Sequence, residues 1–273
     1  MKKTILITGG NGFIGSFLRN QYTGVHNIFA PGHSVLDLTN GESVDKFFAQ
    51  NKIDIVIHCA LAGRDRINAI DSTLVMQNLE MFNNLWRNRH KFGKLINCGT
   101  GNEFDTSTNV DNAPEDQYCE HLPKASYGYA KNIIARIISS TPGFYNLRLF
   151  GVFHHTESNK RFFKLILNAT DESPFRIFQD QYFDFINLED IVPMIDAIIN
   201  NQTNDFDVNM VYKQKYLQSE LAYMFADIHA IPHSRIIVEH PSHNQFTGDG
   251  SVLDSHGFNF KGFEAGFRKY KKI

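Results

Sequence analysis

Tyr127-Gly128-Tyr129-Ala130-Lys131 sets a phenol and an ammonium four residues apart in a segment of helical spacing, so both side chains share one helical face. A phenol with a pKa of ~10 is a poor acid–base catalyst near neutrality, and a neighbouring ammonium favours its ionised form and brings it toward working range. Thr100 closes the apolar run that begins at Lys94 and offers a hydroxyl able to hydrogen-bond a developing alkoxide. Near the start of the chain, Thr8-Gly9-Gly10-Asn11-Gly12-Phe13-Ile14-Gly15 satisfies G-x-G-x-x-G through Gly10, Gly12 and Gly15, and G-x-x-G-x-x-G through Gly9, Gly12 and Gly15. Glycines there permit a tight turn and close approach of backbone to a pyrophosphate, and the helix that follows offers unpaired N–H groups to the anion. The chemistry implied is hydride transfer with a bound dinucleotide. After the second strand the chain reads Ala30-Pro31-Gly32-His33-Ser34, with no carboxylate to hold a ribose 2′-hydroxyl and repel a 2′-phosphate. His33 and Ser34 offer hydrogen bonds to such a phosphate or stand solvated, and Asp37, in another strand register, is the alternative ribose ligand; NADPH is favoured, with NADH possible.

Other polar residues carry weaker readings. Asn102 and Glu103 follow Thr100 and are candidate substrate contacts; the plainer role for Glu103 is a capping or solvated carboxylate. Lys160 and Arg161 are candidate partners for substrate phosphates, or solvated charges at a helix start. His154 and His155 stand in a polar loop and read more simply as solvent-facing than as catalytic. No His, Cys and Asp group has metal-ligand spacing, so no metal is expected, and no G-x-S-x-G elbow is present.

These residues need elements to position them. Lys3–Thr8 predicts a strand, the glycine turn opens a helix through Phe13, Ile14, Phe17 and Leu18, and Asn27–Ala30 predicts a second strand. A helix over 42–51 capped by Thr39 or Asn40, a strand over 53–59, a helix over 73–89, a strand over 94–98, a helix over 127–140 and a strand over 145–150 follow. Strands alternating with helices imply βαβ units and a doubly wound, Rossmann-like parallel α/β sheet. Beyond Gly151 the rhythm loosens: helices are expected over 161–169, 191–200, 219–229 and 263–269, and strands over 180–187 and 206–211. The expectation is a dinucleotide-binding domain over 1–151 and a smaller substrate-binding lobe over 152–273, interwoven with the first.

Composition bounds the rest. The chain has 273 residues, is 42% hydrophobic and 21% charged, and carries a net charge of −2, which suits a globular protein with a sizeable core and argues against a nucleic-acid binder. No apolar run reaches the ~20 residues of a membrane span. Met1-Lys2-Lys3 runs directly into Ile5-Leu6-Ile7, too short an apolar run for a signal peptide. The three cysteines, Cys59, Cys98 and Cys119, form no CxxC and suit a reducing cytoplasm. The 24 phenylalanines are expected mostly in the core.

The order of glycine turn, strand-end hydroxyl and Tyr-x-x-x-Lys resembles the extended, nucleotide-sugar-modifying branch of the short-chain dehydrogenase/reductase superfamily. Asp37-Leu38, His58-Cys59-Ala60-Leu61-Ala62, Asn78, Arg148-Leu149-Phe150-Gly151 and Phe183-Asp184-Phe185 carry the resemblance along the whole chain. It implies that Thr100, Tyr127 and Lys131 form the catalytic triad and that Lys131 also binds the nicotinamide ribose. It further implies that Asp37 and Leu38 contact adenine, that Cys59, Ala60 and Leu61 line the cofactor, that Asn78 supports the active site, and that the Arg148 and Phe183 segments flank the sugar-nucleotide site. A homodimer through the helices over 73–89 and 127–140 is implied as well. The dehydratases of this branch carry Asp-Glu after the strand-end Thr, and its epimerase–reductases a Cys two residues after the hydroxyl; Gly101 and Asn102 stand here instead. What remains is an NADPH-dependent reductase of a nucleotide-linked 4-keto sugar, as in GDP-fucose synthase and dTDP-4-dehydrorhamnose reductase, acting in surface-polysaccharide precursor synthesis. The alternatives are an NAD-retaining 4-epimerase and a non-catalytic dinucleotide-binding sensor or scaffold.

Overall fold

The computed structural model describes residues 1–63, 72–241 and 244–272. In chain order the elements are β1 (Thr4–Thr8), α1 (Phe13–Tyr22), β2 (Asn27–Phe29), α2 (Gly41–Gln50), β3 (Ile55–His58), α3 (Ser72–Arg87), β4 (Lys94–Thr100), β5 (Val110–Ala113), α4 (Ser126–Ser139), β6 (Phe144–Leu149) and β7 (Gly151–Phe153). Then come α5 (Phe162–Leu167), β8 (Phe175–Asp180), β9 (Phe185–Asn187), α6 (Val192–Ile199), β10 (Asp207–Met210), α7 (Gln218–Ile228), β11 (Ile236–Pro241), β12 (Phe246–Gly248), α8 (Ser251–Ser255) and α9 (Gly262–Phe267). They divide into two compact units: Met1–Ser107, Asp116–Arg148 and Ala197–Val208 form the first, and Thr108–Glu115, Leu149–Asp196 and Asn209–Ile273 the second.

The first unit is built on a six-stranded sheet in the order β10-β6-β4-β3-β1-β2. β1 runs parallel to β2 on one side and to β3 on the other, and β3 parallel to β4. Ile5, Leu6, Ile7, Val56, Ile57, Leu95 and Ile96 have no exposed surface, as strands covered by helices on both faces require. Between α2, α3, α4 and the sheet, Val44, Phe48, Phe82, Leu85, Phe92, Ile134, Ile138 and Phe144 form one apolar cluster. Of the two residues considered as the α2 cap, Asn40 performs it, its side chain accepting the Ser43 N–H at 3.0 Å.

The second unit pairs β8 with β11, β5 with β12 and β7 with β9. Phe153, Phe163, Phe225 and Phe267 are fully buried and stack around one another with ring centroids 4.6–5.3 Å apart where they touch. The single strand expected over 180–187 is instead the last residue of β8 and the whole of β9. Asp180, still paired with Pro241 at the end of β8, accepts the Ser219 N–H and Oγ–H at the start of α7. Not every phenylalanine is core: Phe178 is 66% exposed and Phe206 47%.

Candidate active site

The order of β2, β1, β3 and β4 reverses direction between β1 and β3, and in open parallel sheets ligands bind beyond the strand ends at that reversal. The glycine turn leaves β1 there. Gly9 has φ +65° and packs so closely that a Cβ on it would lie 2.8 Å from the backbone of Cys59 and Ala60 beyond β3. Gly12 is the N-cap of α1 and its N–H donates to the Gly9 carbonyl at 2.8 Å, while no side chain caps the helix. A tight turn free of side chains, opening an uncapped helix end, is the donor set a pyrophosphate fits. Asn11 at its tip is exposed, Phe13 is half-buried, and Ile14 follows in the first turn of α1.

β2 ends at Phe29, so Ala30 to Ser34 do follow the strand end with no acid among them. His33 lies 3.3 Å from Asp37. Asp37 Oδ1 accepts both the Thr39 N–H at 2.9 Å and its hydroxyl at 2.7 Å, and these bonds hold the carboxyl below its usual range. Leu38 is buried and its carbonyl accepts from Asn84. Asn78, buried in α3, donates to the Ala62 and Leu74 carbonyls and accepts the Ala62 N–H, which ties the segment after β3 to the helix. Cys59 and Ala60 are half-buried on that segment and Leu61 is 44% exposed.

Thr100 ends β4. Its Oγ1 accepts from the Asn102 N–H at 3.3 Å and from Asn102 Nδ2 at 3.2 Å. On α4, Lys131 is buried and donates to the Cys98 carbonyl at 3.1 Å, while Tyr127, one turn earlier, is half-buried. Gly128 lets this helix approach the end of β4, since a Cβ there would lie 2.3 Å from the Asn102 carbonyl oxygen. The Tyr-x-x-x-Lys motif contains that glycine, but only the packed structure shows why a side chain is excluded.

Glu103 requires a correction. Its carboxylate has no exposed surface and so is not offered to a substrate. Oε1 accepts the Thr100 N–H at 2.9 Å, and Oε2 accepts from Arg148 Nε at 2.8 Å and Asn146 Nδ2 at 2.9 Å. Arg148 also reaches Asp207 at 2.8 Å and lies between the rings of Phe104 and Tyr118. Burial opposes the arginine charge, and the two carboxylates more than offset it, so Arg148 stays protonated. Its side chain is fully buried in the interior of the first unit.

In the second unit, Lys160 is exposed, and Arg161 pairs with Glu157 at 3.1 Å and donates to the Val152 carbonyl. His154 is buried rather than solvent-facing, bonded through Nδ1 to the Thr156 hydroxyl at 2.7 Å, with its ring centroid 4.0 Å from that of His155 and the two rings tilted. Burial and the neighbouring ring push it down to about 4. Among the described residues, His154, His155 and Glu189 bring ligand atoms within 4.8 Å of one another, a grouping 34 residues apart in sequence at its nearest. Glu189 already takes Lys261 and Lys269, which gives the group a positive surround unsuited to a cation. Asp184 is buried against Lys215 at 2.7 Å and accepts the Gly248 N–H; burial pushes it up to about 6.

The model of the NAD dependent epimerase/dehydratase family matches residues 5–210, and the chain belongs to that family. Among solved structures it is similar to a GDP-mannoheptose C4 reductase from Campylobacter jejuni with NADP bound, at 19% identity and TM-score 0.81, covering 98% of this chain and 96% of that one. A dTDP-4-dehydrorhamnose reductase from Bacillus anthracis in complex with NADP matches at 17% identity and TM-score 0.79, covering 99% and 98%. A UDP-glucose 4-epimerase from Thermus thermophilus in complex with NAD matches at 18% and 0.76, covering 97% and 96%. These likenesses bear out the Rossmann-like fold. No curated protein matches the sequence. Among the described residues no helix is long and apolar enough to cross a membrane.

Proposed function

We propose that the protein is an NADPH-dependent reductase of a nucleotide-activated 4-keto sugar, of the 6-deoxy or a related series, serving surface-polysaccharide precursor synthesis. The observation that carries this reading is the presence of three features at the C-terminal ends of the parallel strands β1, β3 and β4: the glycine turn seated against Cys59 and Ala60, Thr100 ending β4, and buried Lys131 bonded to the same strand. The absence of a carboxylate after β2 supports NADPH, as do the reductases with NADP bound that share the fold.

A bound reduced nicotinamide supplies hydride to the keto carbon. Tyr127 donates its phenolic proton to the carbonyl oxygen, so the C=O becomes CH–OH and the phenolate is left for reprotonation from solvent. Lys131 stabilises that phenolate and holds the ribose, and Thr100 hydrogen-bonds the oxygen as charge develops on it. Gly9 to Gly15 take the pyrophosphate, His33 and Ser34 the 2′-phosphate, Asp37 and Leu38 the adenine, and Cys59 to Leu61 the cofactor's flank. Asn102 faces the substrate beside Thr100, and Lys160 and Arg161 are assigned to substrate phosphates. Asn102 in place of an acid or thiol leaves no proton shuttle for elimination or carbon epimerisation, which supports simple reduction. A homodimer in the cytoplasm completes the reading.

The test is NADPH oxidation with a panel of 4-keto nucleotide sugars, comparing the parent with Tyr127→Phe. Turnover is expected to fall by about 10³-fold or more with cofactor affinity nearly unchanged. Equal turnover in the variant would remove the enzymatic reading, and tightly retained NAD in the purified protein would replace reduction by epimerisation.

A further inference from the structure

Cys59 and Cys98 lie 39 residues apart in sequence, yet their sulfurs are 3.3 Å apart, in hydrogen-bond contact as free thiols. β3 and β4 pair in parallel with His58 opposite Asn97, so the next positions along both strands set Cys59 opposite Cys98. Neighbouring strands are spaced ~4.8 Å apart, inside the ~4.4–6.8 Å between Cα atoms that a disulfide takes. The sulfurs need approach by only about 1 Å to reach bonding distance.

We propose that Cys59 and Cys98 are a redox-active pair, closed by hydroperoxides into a reversible intramolecular disulfide that loosens the glycine-turn cradle. Cys59 is half-buried and Cys98 buried, and the Lys131 ammonium favours the thiolate form of both. One of the two sulfurs, as thiolate, displaces hydroxide from the peroxide O–O bond and becomes a sulfenic acid. The other sulfur then attacks that sulfur, the S–S bond forms, and water leaves. Two thiols are oxidised, one peroxide is reduced to two waters, and a dithiol reverses the bond by exchange.

The link to the cradle is backbone contact. The Cys59 N–H donates to the Thr8 carbonyl at 3.3 Å, and the Ala60 N–H to the Thr8 hydroxyl at 3.3 Å. Gly9 abuts the Cys59–Ala60 peptide, and the Cys98 carbonyl accepts from Lys131. Drawing the two cysteines together moves the groups that seat the turn and the ammonium. The effect on cofactor rests on the dinucleotide reading above; the bond itself does not.

The experiment treats the full chain, with and without NADPH, with hydrogen peroxide and then dithiothreitol. Intact mass should show loss of two hydrogens, peptide mapping a Cys59–Cys98 link, and hydrogen exchange faster across residues 7–15. NADPH should bind at least about tenfold more weakly until the dithiol is added, within the range of ordinary coupling between sites. Cys98→Ser should abolish the mass loss, and Cys119→Ser should behave as the parent. No loss of two hydrogens, a link through Cys119, or a Cys59–Cys98 bond that leaves exchange over residues 7–15 unchanged would each overturn the proposal. Reduced protein that binds neither NADPH nor NADH would sink the dinucleotide reading instead, while mass and exchange still decide the pair.

Discussion

His58, which ends β3, is 1% exposed with Nδ1 2.8 Å from the Thr8 hydroxyl. Burial, assisted by the nearby Lys131 charge, pushes its pKa from 6.5 down to about 3. The unfolded chain therefore binds a proton that the fold refuses between those values, and stability is lost as pH falls below 6.5, at ~1.4 kcal/mol per unit. His58→Asn keeps a polar partner for Thr8 and removes this proton. Urea unfolding from pH 6.5 to 4.5 should show its acid loss smaller than the parent's by about 2–3 kcal/mol, with His154 supplying a residual slope. Equal slopes would mean that His58 is already protonated in the fold. The residues proposed to carry chemistry are readable from type and spacing, because a glycine turn and a Tyr-x-x-x-Lys pair are local patterns. Glu103 was not, because the groups that bury it stand 43 and 45 residues away.

The placement of α4 turns on one position. Alanine normally gains about 1 kcal/mol over glycine in a helix interior. At Gly128 the added Cβ would meet the Asn102 carbonyl at 2.3 Å and the Pro123 Cβ at 2.9 Å, and overpacking of this kind costs ~1–3 kcal/mol. The clash outweighs propensity, so Gly128→Ala should lower both the urea midpoint and turnover; a stabilised variant would show that α4 does not seat on Asn102. At α2, Asn40→Ala removes the acceptor for the Ser43 N–H and should cost about 1 kcal/mol in the same measurement. The long helices were legible from apolar periodicity over several turns, and β1, β3 and β4 because each contains a short continuous apolar run. β5, β7 and β12 were not: each has 3–4 residues and exists through a partner strand distant in sequence.

The stability of the first unit depends on a charge network that crosses its sheet. Arg148 on β6 joins Glu103 beyond β4 to Asp207 on β10, with Asn146 bonded to both carboxylates and to Asn97. Arg148→Met would leave two buried carboxylates facing each other, and denaturant unfolding should show a loss of ~3–5 kcal/mol. Combining it with Glu103→Gln and Asp207→Asn should recover most of that loss, since no unpaired charge is then buried. A single variant as stable as the triple would show that water already reaches the carboxylates. The second unit is held differently, by the phenylalanine cluster around Phe163, which composition anticipated only as a surplus of aromatic residues.

The amino-acid order alone determined the alternation of strand and helix, the glycine turn, the missing carboxylate after β2 and the spacing of Tyr127 and Lys131, because each depends on contacts within a few residues or on a single residue type. Tertiary structure decided what depends on closure over tens of residues: the reversal of strand order between β1 and β3, the burial of Glu103 against Arg148, the return of residues 197–208 to the first unit, and the meeting of Cys59 with Cys98. Sheet order and burial are set by which surfaces exclude water together, and no local pattern encodes a partner that distant.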